Sequence, residues 1–387
     1  MTTGDKPYRL YRGGRVKGKV PGIPRPEADG RRPDRPVLPT ERRRRPRGRT
    51  VVLLIVLAIL VLAVVWLALG YLQVRKGVKE ANDRLPDNAR VALASQDGLL
   101  MNQPTTIALF GTDHAQGIAG RSSARRSDSI MLLRTDPSRN RIAYLSIPRD
   151  LRVDIPGHSA SKINAAFQLG GPALALRTVR NFTGIPVNHV VVVDFADFTE
   201  LVDALGGITV NNPTPILSNR FDCPYSTEER CGRWQGWRFR KGELHLDGYH
   251  ALIYSRVREN RLDPGETDIT RGQRQQQVMQ AIMSKIASPS SVLRMPTMGK
   301  DLAKPLATDL STEQFLQLGW RKFRADDGKT LHCRLGGEPS SYGGESILVP
   351  SEDNRNVVSM FLGASAPQPP PRGQPFAPGC TIGQPSR

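Results

Sequence analysis

Thr105-Thr-Ile-Ala-Leu-Phe-Gly-Thr-Asp113 is where the chain changes from a polar connector to a folded domain. The apolar run Thr106–Phe110 has the length of a strand and ends in Gly111-Thr-Asp113. Ser129–Leu133 and Ile142–Ile147 repeat the pattern, and the second closes in Pro148-Arg149-Asp150. Residues 163–183 follow as a helix in two parts. Gly170-Gly171-Pro172 breaks and restarts a period that spaces Leu176, Val179 and Thr183 for burial. His189–Phe195 is continuously apolar, which suits a strand covered on both faces. A helix over Phe195–Leu205 stops at Gly206-Gly207, and Ile208–Asn211 and Ala251–Val257 read as further strands. Strands alternating with helices over 105–290 predict an α/β fold, a three-layer α-β-α domain.

Toward the N-terminus, residues 73–104 form a polar connector with room for a short helix, and Val51–Leu72 is a run of 22 residues without a charge. At about 1.5 Å per residue such a run crosses a hydrocarbon core of roughly 30 Å, so 51–72 is read as a single transmembrane helix. It lacks the short apolar region and A-x-A-like exit of a cleavable signal peptide. Residues 1–50 are a basic arm, disordered by composition, with 16 Lys/Arg against 5 Asp/Glu, so +11 of the net +19 sits there. That charge has a topological explanation that needs no nucleic-acid partner. Arginines clustered before the span place the N-terminus in the cytoplasm and the body of the chain outside the cell membrane.

Toward the C-terminus, residues 212–242 form a long excursion with two tryptophans, and 291–387 read as a Pro- and Gly-rich extension, partly disordered, with short elements. The four cysteines show no C-x-x-C spacing. In an exported chain they are expected in two disulfides. Three pairings are open; proximity favours Cys223–Cys231, which leaves Cys333–Cys380.

Asp268-Ile-Thr-Arg271-Gly-Gln-Arg274-Gln275 opens a helix expected to run to about residue 288, with Thr270 and Gln273 spaced as a capping box. Arg271, Arg274 and Gln275 share the first turn, and Val278, Ile282 and Ile286 continue as the buried side. Guanidinium forks at a helix N-terminus suit a phosphate or pyrophosphate, although arginines on an amphipathic helix also simply face solvent. Other polar groups collect at strand ends, where open α/β sheets bind ligands. Asp113 follows the first strand, Arg126-Ser-Asp128 precedes the second, Arg149 and Asp150 follow the third, and Lys162 and Asn164 enter the helix. Strand alternation sends Arg256 and Arg258 to one face. Each alone has an ordinary explanation as a cap, a turn or a solvated edge. Together, carboxylates suited to a hard cation and arginines suited to phosphate oxygens are the components of metal-assisted phosphoryl transfer. No G-x-S-x-G, H-E-x-x-H or Walker A motif offers another chemistry.

In order and spacing, seven motifs resemble those of the LytR-CpsA-Psr (LCP) cell-wall ligases. They are Gly111-Thr-Asp113, Arg126-Ser-Asp128-Ser129, Leu145-Ser-Ile-Pro-Arg149-Asp150, Lys162-Ile-Asn164-Ala-Ala and Asp203-Ala-Leu-Gly206-Gly207. Leu246-Asp247-Gly248-Tyr-His-Ala-Leu-Ile-Tyr254-Ser-Arg256-Val-Arg258 and Asp268-Ile-Thr-Arg271-Gly-Gln-Arg274-Gln275 complete the set. The resemblance covers about 105–290 together with the arm and the span. It implies an extracytoplasmic LCP catalytic domain on a membrane anchor, and a phosphotransferase that depends on Mg²⁺, with Mn²⁺ as the alternative metal. Such an enzyme moves a glycopolymer from a polyprenyl-pyrophosphate carrier onto peptidoglycan, as a phosphodiester to the muramic acid 6-hydroxyl.

By the same resemblance Asp113 and Asp128 hold the metal. Arg149, Arg256, Arg258, Arg271 and Arg274 grip the pyrophosphate, with Arg126 and Gln275 in support. Asp128 and Arg149 serve the chemistry, and Asp150 or Asp268 either takes the proton of the attacking hydroxyl or orients an arginine. The prenyl chain is expected in an apolar tunnel between sheet and helices. Water in place of the sugar makes pyrophosphatase a side activity. Two rival readings are a non-catalytic membrane-bound transcriptional attenuator of envelope genes and a module that holds the carrier without turnover. The arm has no helix-turn-helix pattern to support the first. The 212–242 excursion and the tail depart from many relatives.

Overall fold

The computed structural model describes residue 22 and residues 48–96, 98–113, 126–263 and 268–383; the side chains of residues 113, 126, 128, 268 and 269 also fall outside the description. Nearly all of the basic arm therefore lies outside the described residues. The chain divides into two compact units, Met1–Ile55 and Val56–Arg387.

Helix α1 (Gly48–Arg84) is, among the described residues, the one helix long and apolar enough to cross a membrane. It does not stop at Leu72. Val74, Val78 and Ala81 recur at helical spacing and are buried, so residues 73–84, the first part of the expected connector, continue this helix with a new apolar stripe. A short α2 (Asp87–Val91) leads into the sheet.

Strands β1 (Thr105–Asp113), β2 (Arg126–Asp136) and β3 (Arg141–Ser146) form an antiparallel meander. The small ribbon β4 (Arg152–Val153) and β5 (Ser161–Lys162) precedes α3 (Ala165–Thr183), which kinks at Gly170 and Gly171 as its sequence requires. Then β6 (His189–Asp194) pairs parallel with β1, and α4 (Phe195–Ala204) follows. β7 (Ile208–Asn212) leaves the main sheet and pairs with β10 (Gly242–Leu246). Between them the excursion holds β8 (Ile216–Leu217), α5 (Glu228–Arg233) and β9 (Arg238–Phe239), and a disulfide joins Cys223 to Cys231.

Two expectations fail in the next segment. Ala251–Val257 is not a strand, because α6 (Gly248–Arg256) occupies most of it. Asp247 caps that helix, its Oδ1 accepting from the His250 N–H at 2.8 Å. Residues 251–255 are all buried, although Tyr249 and His250 are exposed, and a continuously buried run has no period that separates helix from strand. Gly248 also lies against α4, where a Cβ would meet the Thr199 carbonyl at 2.3 Å. Second, α7 (Asp268–Ile286) begins at Asp268, so Thr270 lies inside its first turn and is not the N-cap.

The chain continues through α8 (Pro289–Ala303), β11 (Ala307–Thr308), α9 (Thr312–Arg324), β12 (Leu331–Arg334), β13 (Gly337–Tyr342), β14 (Glu345–Pro350), α10 (Asn354–Leu362) and β15 (Gly379–Ile382). The main sheet runs β11-β6-β1-β2-β3-β12-β15. Both of its edges thus come from beyond residue 290, and Cys333 and Cys380, opposed in register on β12 and β15, are joined by a disulfide. The tail is part of the domain, so the boundary expected at 290 does not divide the structure. Strands of two to four residues are too short to show a period in the sequence.

The sheet has helices on both faces. Ala108, Phe110, Leu132 and Leu145 point to one core with α3 and α10, while Ile107, Met131, Leu133 and Tyr144 alternate to the other with α7 and α9. This is the expected α-β-α arrangement.

Candidate active site

On the second face the core is not filled. A cavity of about 360 Å³ lies between the sheet and helices α7, α8 and α9. Packed interiors leave few voids larger than a water molecule, so an apolar space of this size is a candidate binding site. Its wall is mostly apolar, with Leu109, Val191, Ile282, Leu306 and Phe315 among its residues. Arg256, Arg258, Arg271, Gln275 and Asn219 are the basic and amide groups among its described residues.

Helix α7 brings Arg271 and Gln275 to that wall. Gly272 rests on the end of β3, where a Cβ would stand 2.9 Å from Ser146 Oγ, so the first turn can sit directly against the strand. Gln276 ties the same turn to the sheet, donating to the Cys333 carbonyl at 2.9 Å and lying 3.1 Å from His332 Nδ1. Burial pushes the His332 imidazole down to about 4, so it is neutral in this layer. Arg271 is only 4 % exposed.

Arg274 is placed differently from Arg271. It is 5 % exposed, is not among the described residues that line the cavity, and donates from Nη2 to the Val257 carbonyl. It thereby ties α7 to the chain that leaves α6. Arg256 ends α6 and Arg258 follows it, so helix termination, not strand alternation, carries both to the cavity. Arg256 lies 4.8 Å over the Phe195 ring and is paired with Asp222 of the excursion. Phe221 and Asn219 of the excursion also line the cavity, so that segment forms part of its wall.

Arg149 and Asp150 lie in the loop after β3 and are not among the described lining residues. Arg149 Nε is 3.4 Å from Asp150 Oδ2, and Lys162 Nζ is 3.5 Å from Asp150 Oδ1 and 3.3 Å from Glu345. A carboxylate between two cations suits orienting Arg149 better than accepting a proton.

Of the expected acidic residues, Asp113 and Asp128 come together in the backbone. Asp113 ends β1 opposite Arg126, and Asp128 is the extra residue of a β-bulge between Ser127 and Ser129. Asp268 is the first residue of α7. The side chains of Asp113, Arg126, Asp128 and Asp268 lie outside the described residues. Sequence reasoning missed Asp194, which pairs in register beside Thr112, lines the cavity and caps α4 by accepting from the Asp197 N–H at 2.7 Å. Burial, with Asp194 nearby, raises Asp197 to about 6. The only signal in the sequence was a cap-like Asp before a helix. By backbone register Asp113, Asp128 and Asp194 lie at the same end of β1, β2 and β6, and carboxylate is the ligand type that a hard divalent cation takes.

The LytR_cpsA_psr family profile matches residues 69–358. A polyisoprenyl-teichoic acid–peptidoglycan teichoic acid transferase, TagU of Enterococcus faecalis, is 31 % identical over 286 residues, covering 74 % of this chain and 87 % of the relative. TagV of Bacillus subtilis, of the same description, is 30 % identical over 278 residues, covering 70 % and 66 %. Among solved structures, that of B. subtilis TagV superposes with a TM-score of 0.54 at 27 % identity, covering 67 % of this chain and 98 % of TagV. A structure of TagT bound to LIIa-WTA gives 0.52 at 26 %, covering 69 % and 94 %.

Proposed function

This chain belongs to the LytR-CpsA-Psr family, and we propose that it moves a glycopolymer from a polyprenyl-pyrophosphate carrier onto peptidoglycan, outside the membrane that α1 crosses. The observation that carries the reading is one cavity with two chemistries. Most of its wall accepts a hydrocarbon chain, while Arg256, Arg258 and Arg271 offer guanidinium forks to phosphate oxygens. Relatives named as transferases of polyisoprenyl-linked teichoic acid support the same donor class.

In the reaction, the acceptor hydroxyl, the muramic acid 6-hydroxyl in our reading, bonds to the phosphorus that bears the glycan. The bond from that phosphorus to the bridging oxygen breaks, and polyprenyl phosphate leaves with the electron pair. Arginines on the wall hold the pyrophosphate and offset the charge that builds on its oxygens. Asp150 is engaged by Arg149 and Lys162, and in our reading Asp268, at the start of α7, takes the hydroxyl proton. Asp113 and Asp128 would hold Mg²⁺ or Mn²⁺, which supplies further charge neutralisation when bound. With water as acceptor the same site would act as a pyrophosphatase.

The test uses the full-length protein in nanodiscs with a polyprenyl-pyrophosphoryl glycan, peptidoglycan oligomers and Mg²⁺. Release of polyprenyl phosphate together with glycan joined to peptidoglycan is expected. No release, or release unchanged by Asp128→Ala and Arg271→Ala, overturns the reading.

A further inference from the structure

Helix α8 runs alongside α1 in the same direction, and its start lies deeper than the end of the apolar span. The contacts climb together along both helices. Trp66 Nε1 donates to the Leu293 carbonyl at 3.0 Å. A Cβ on Gly70 would meet Met295 Cβ at 3.1 Å, one on Gly77 would meet the Lys300 carbonyl at 2.3 Å, and Gly299 lies against Val74. Glu80 closes the series with Lys300 Nζ at 2.8 Å. The glycines let the two backbones approach closely, so the alignment is built into both helices.

Trp66 lies inside the charge-free run Val51–Leu72. Six residues separate it from Leu72, about 9 Å of helix rise, so Trp66 lies well below the outer end of the run. The Leu293 carbonyl is hydrogen-bonded at that level. Around it Val292 and Leu293 are 48 % and 66 % exposed, although both are apolar. Arg294, next in sequence, is also exposed and has the long stem that lets a cation reach lipid phosphates.

From this geometry we propose that the first turn of α8, Pro289–Leu293, is embedded in the outer leaflet of the bilayer beside Trp66. The domain is then held to the membrane at two points, the spanning helix and the α8 turn, which fixes its orientation on the surface. Phe315 both lines the cavity and packs near Val74 and Val78 of α1. If the donor is the polyprenyl carrier proposed above, its tail therefore enters on the side where α8 meets lipid.

The experiment places Leu293→Cys or Val91→Cys in the full-length protein in phosphatidylcholine–phosphatidylglycerol nanodiscs; Val91 is 86 % exposed and serves as the aqueous reference. A membrane-impermeant maleimide should label position 293 about ten-fold more slowly or worse than position 91. Bimane attached at 293 before reconstitution should be quenched by 5-doxyl phosphatidylcholine, and bimane at 91 should not. Equal labelling rates overturn the proposal. Slow labelling at 293 without doxyl quenching also overturns it, since protein and not lipid would then cover the turn. Neither readout needs transfer activity, so a failed transfer assay leaves this result interpretable.

Discussion

Two walls of the cavity carry arginines, and they hold them differently. Arg271 is buried in α7, whose first turn is pinned by Gly272 on Ser146 and by Gln276 on Cys333 and His332. Arg256 and Arg258 come from the end of α6 and the chain beyond it, half-buried and exposed. Arg256 leans on Asp222 from an excursion closed by the Cys223–Cys231 disulfide. A buried guanidinium is oriented before any ligand arrives and needs little rearrangement to stabilise charge. An exposed one exchanges partners, and Asp222 occupies a position that a phosphate oxygen can take. One wall is preorganised; the other is adjustable.

The sharpest test compares the two walls directly. Arg271→Ala should lower transfer turnover by about 10²–10³-fold, and Arg271→Lys should recover only part of it, because an ammonium lacks the fork. Arg256→Ala should cost roughly ten-fold under the same assay, in keeping with its exposure. If Arg256→Ala costs as much as Arg271→Ala, the distinction between the walls does not hold.

The backing of the rigid wall is testable by pH. His332 is held neutral with a folded value of about 4, below the ordinary 6.5 that it regains on unfolding. Its contribution is therefore fully present above pH 6.5 and is lost as pH falls from 6.5 to 4, on the order of 3 kcal/mol. Urea unfolding across that window should show the fall in the wild type and a flatter profile in His332→Gln. Equal slopes would mean that other groups titrate.

Arg274 should behave as a structural residue. Arg274→Ala leaves the buried Val257 carbonyl without this donor and should destabilise by about 1–3 kcal/mol in chemical unfolding, with KM for the donor little changed. A large change in KM at unaltered stability would return Arg274 to the ligand. The smallest effect belongs to the adjustable wall. Asp222→Asn weakens a half-exposed pair and should lower KM for the donor by roughly two- to five-fold at constant kcat. A rise in KM would mean that Asp222 positions Arg256 and does not compete for it.

What was readable in advance follows from length and period. β1, β2, β3, β6, α3, α4 and α7 each carry enough residues to show their pattern. α6 was misread because the continuous burial of residues 251–255 erases the period. The arginines show the same limit at finer scale. At 3.6 residues per turn Arg271 and Gln275 are close in angle, whereas Arg274 is turned about 100° from Gln275. That rotation brings Arg274 Nη2 to the Val257 carbonyl. Asp194 and Asp222 were invisible because a cap and a loop acid look ordinary until the chain folds.

Taken alone, the sequence determined the charge-free span, the α/β class, the inventory of acids and arginines, and the family to which they point. These depend on local composition, spacing and motif order. Only the tertiary structure decided that β11, β12 and β15 from the tail complete the sheet, that α8 lies along α1, and that Arg271 faces the cavity while Arg274 ties α7 to the chain that leaves α6. Such features arise from pairings between distant segments, set by packing and close backbone approach, and no local period records them.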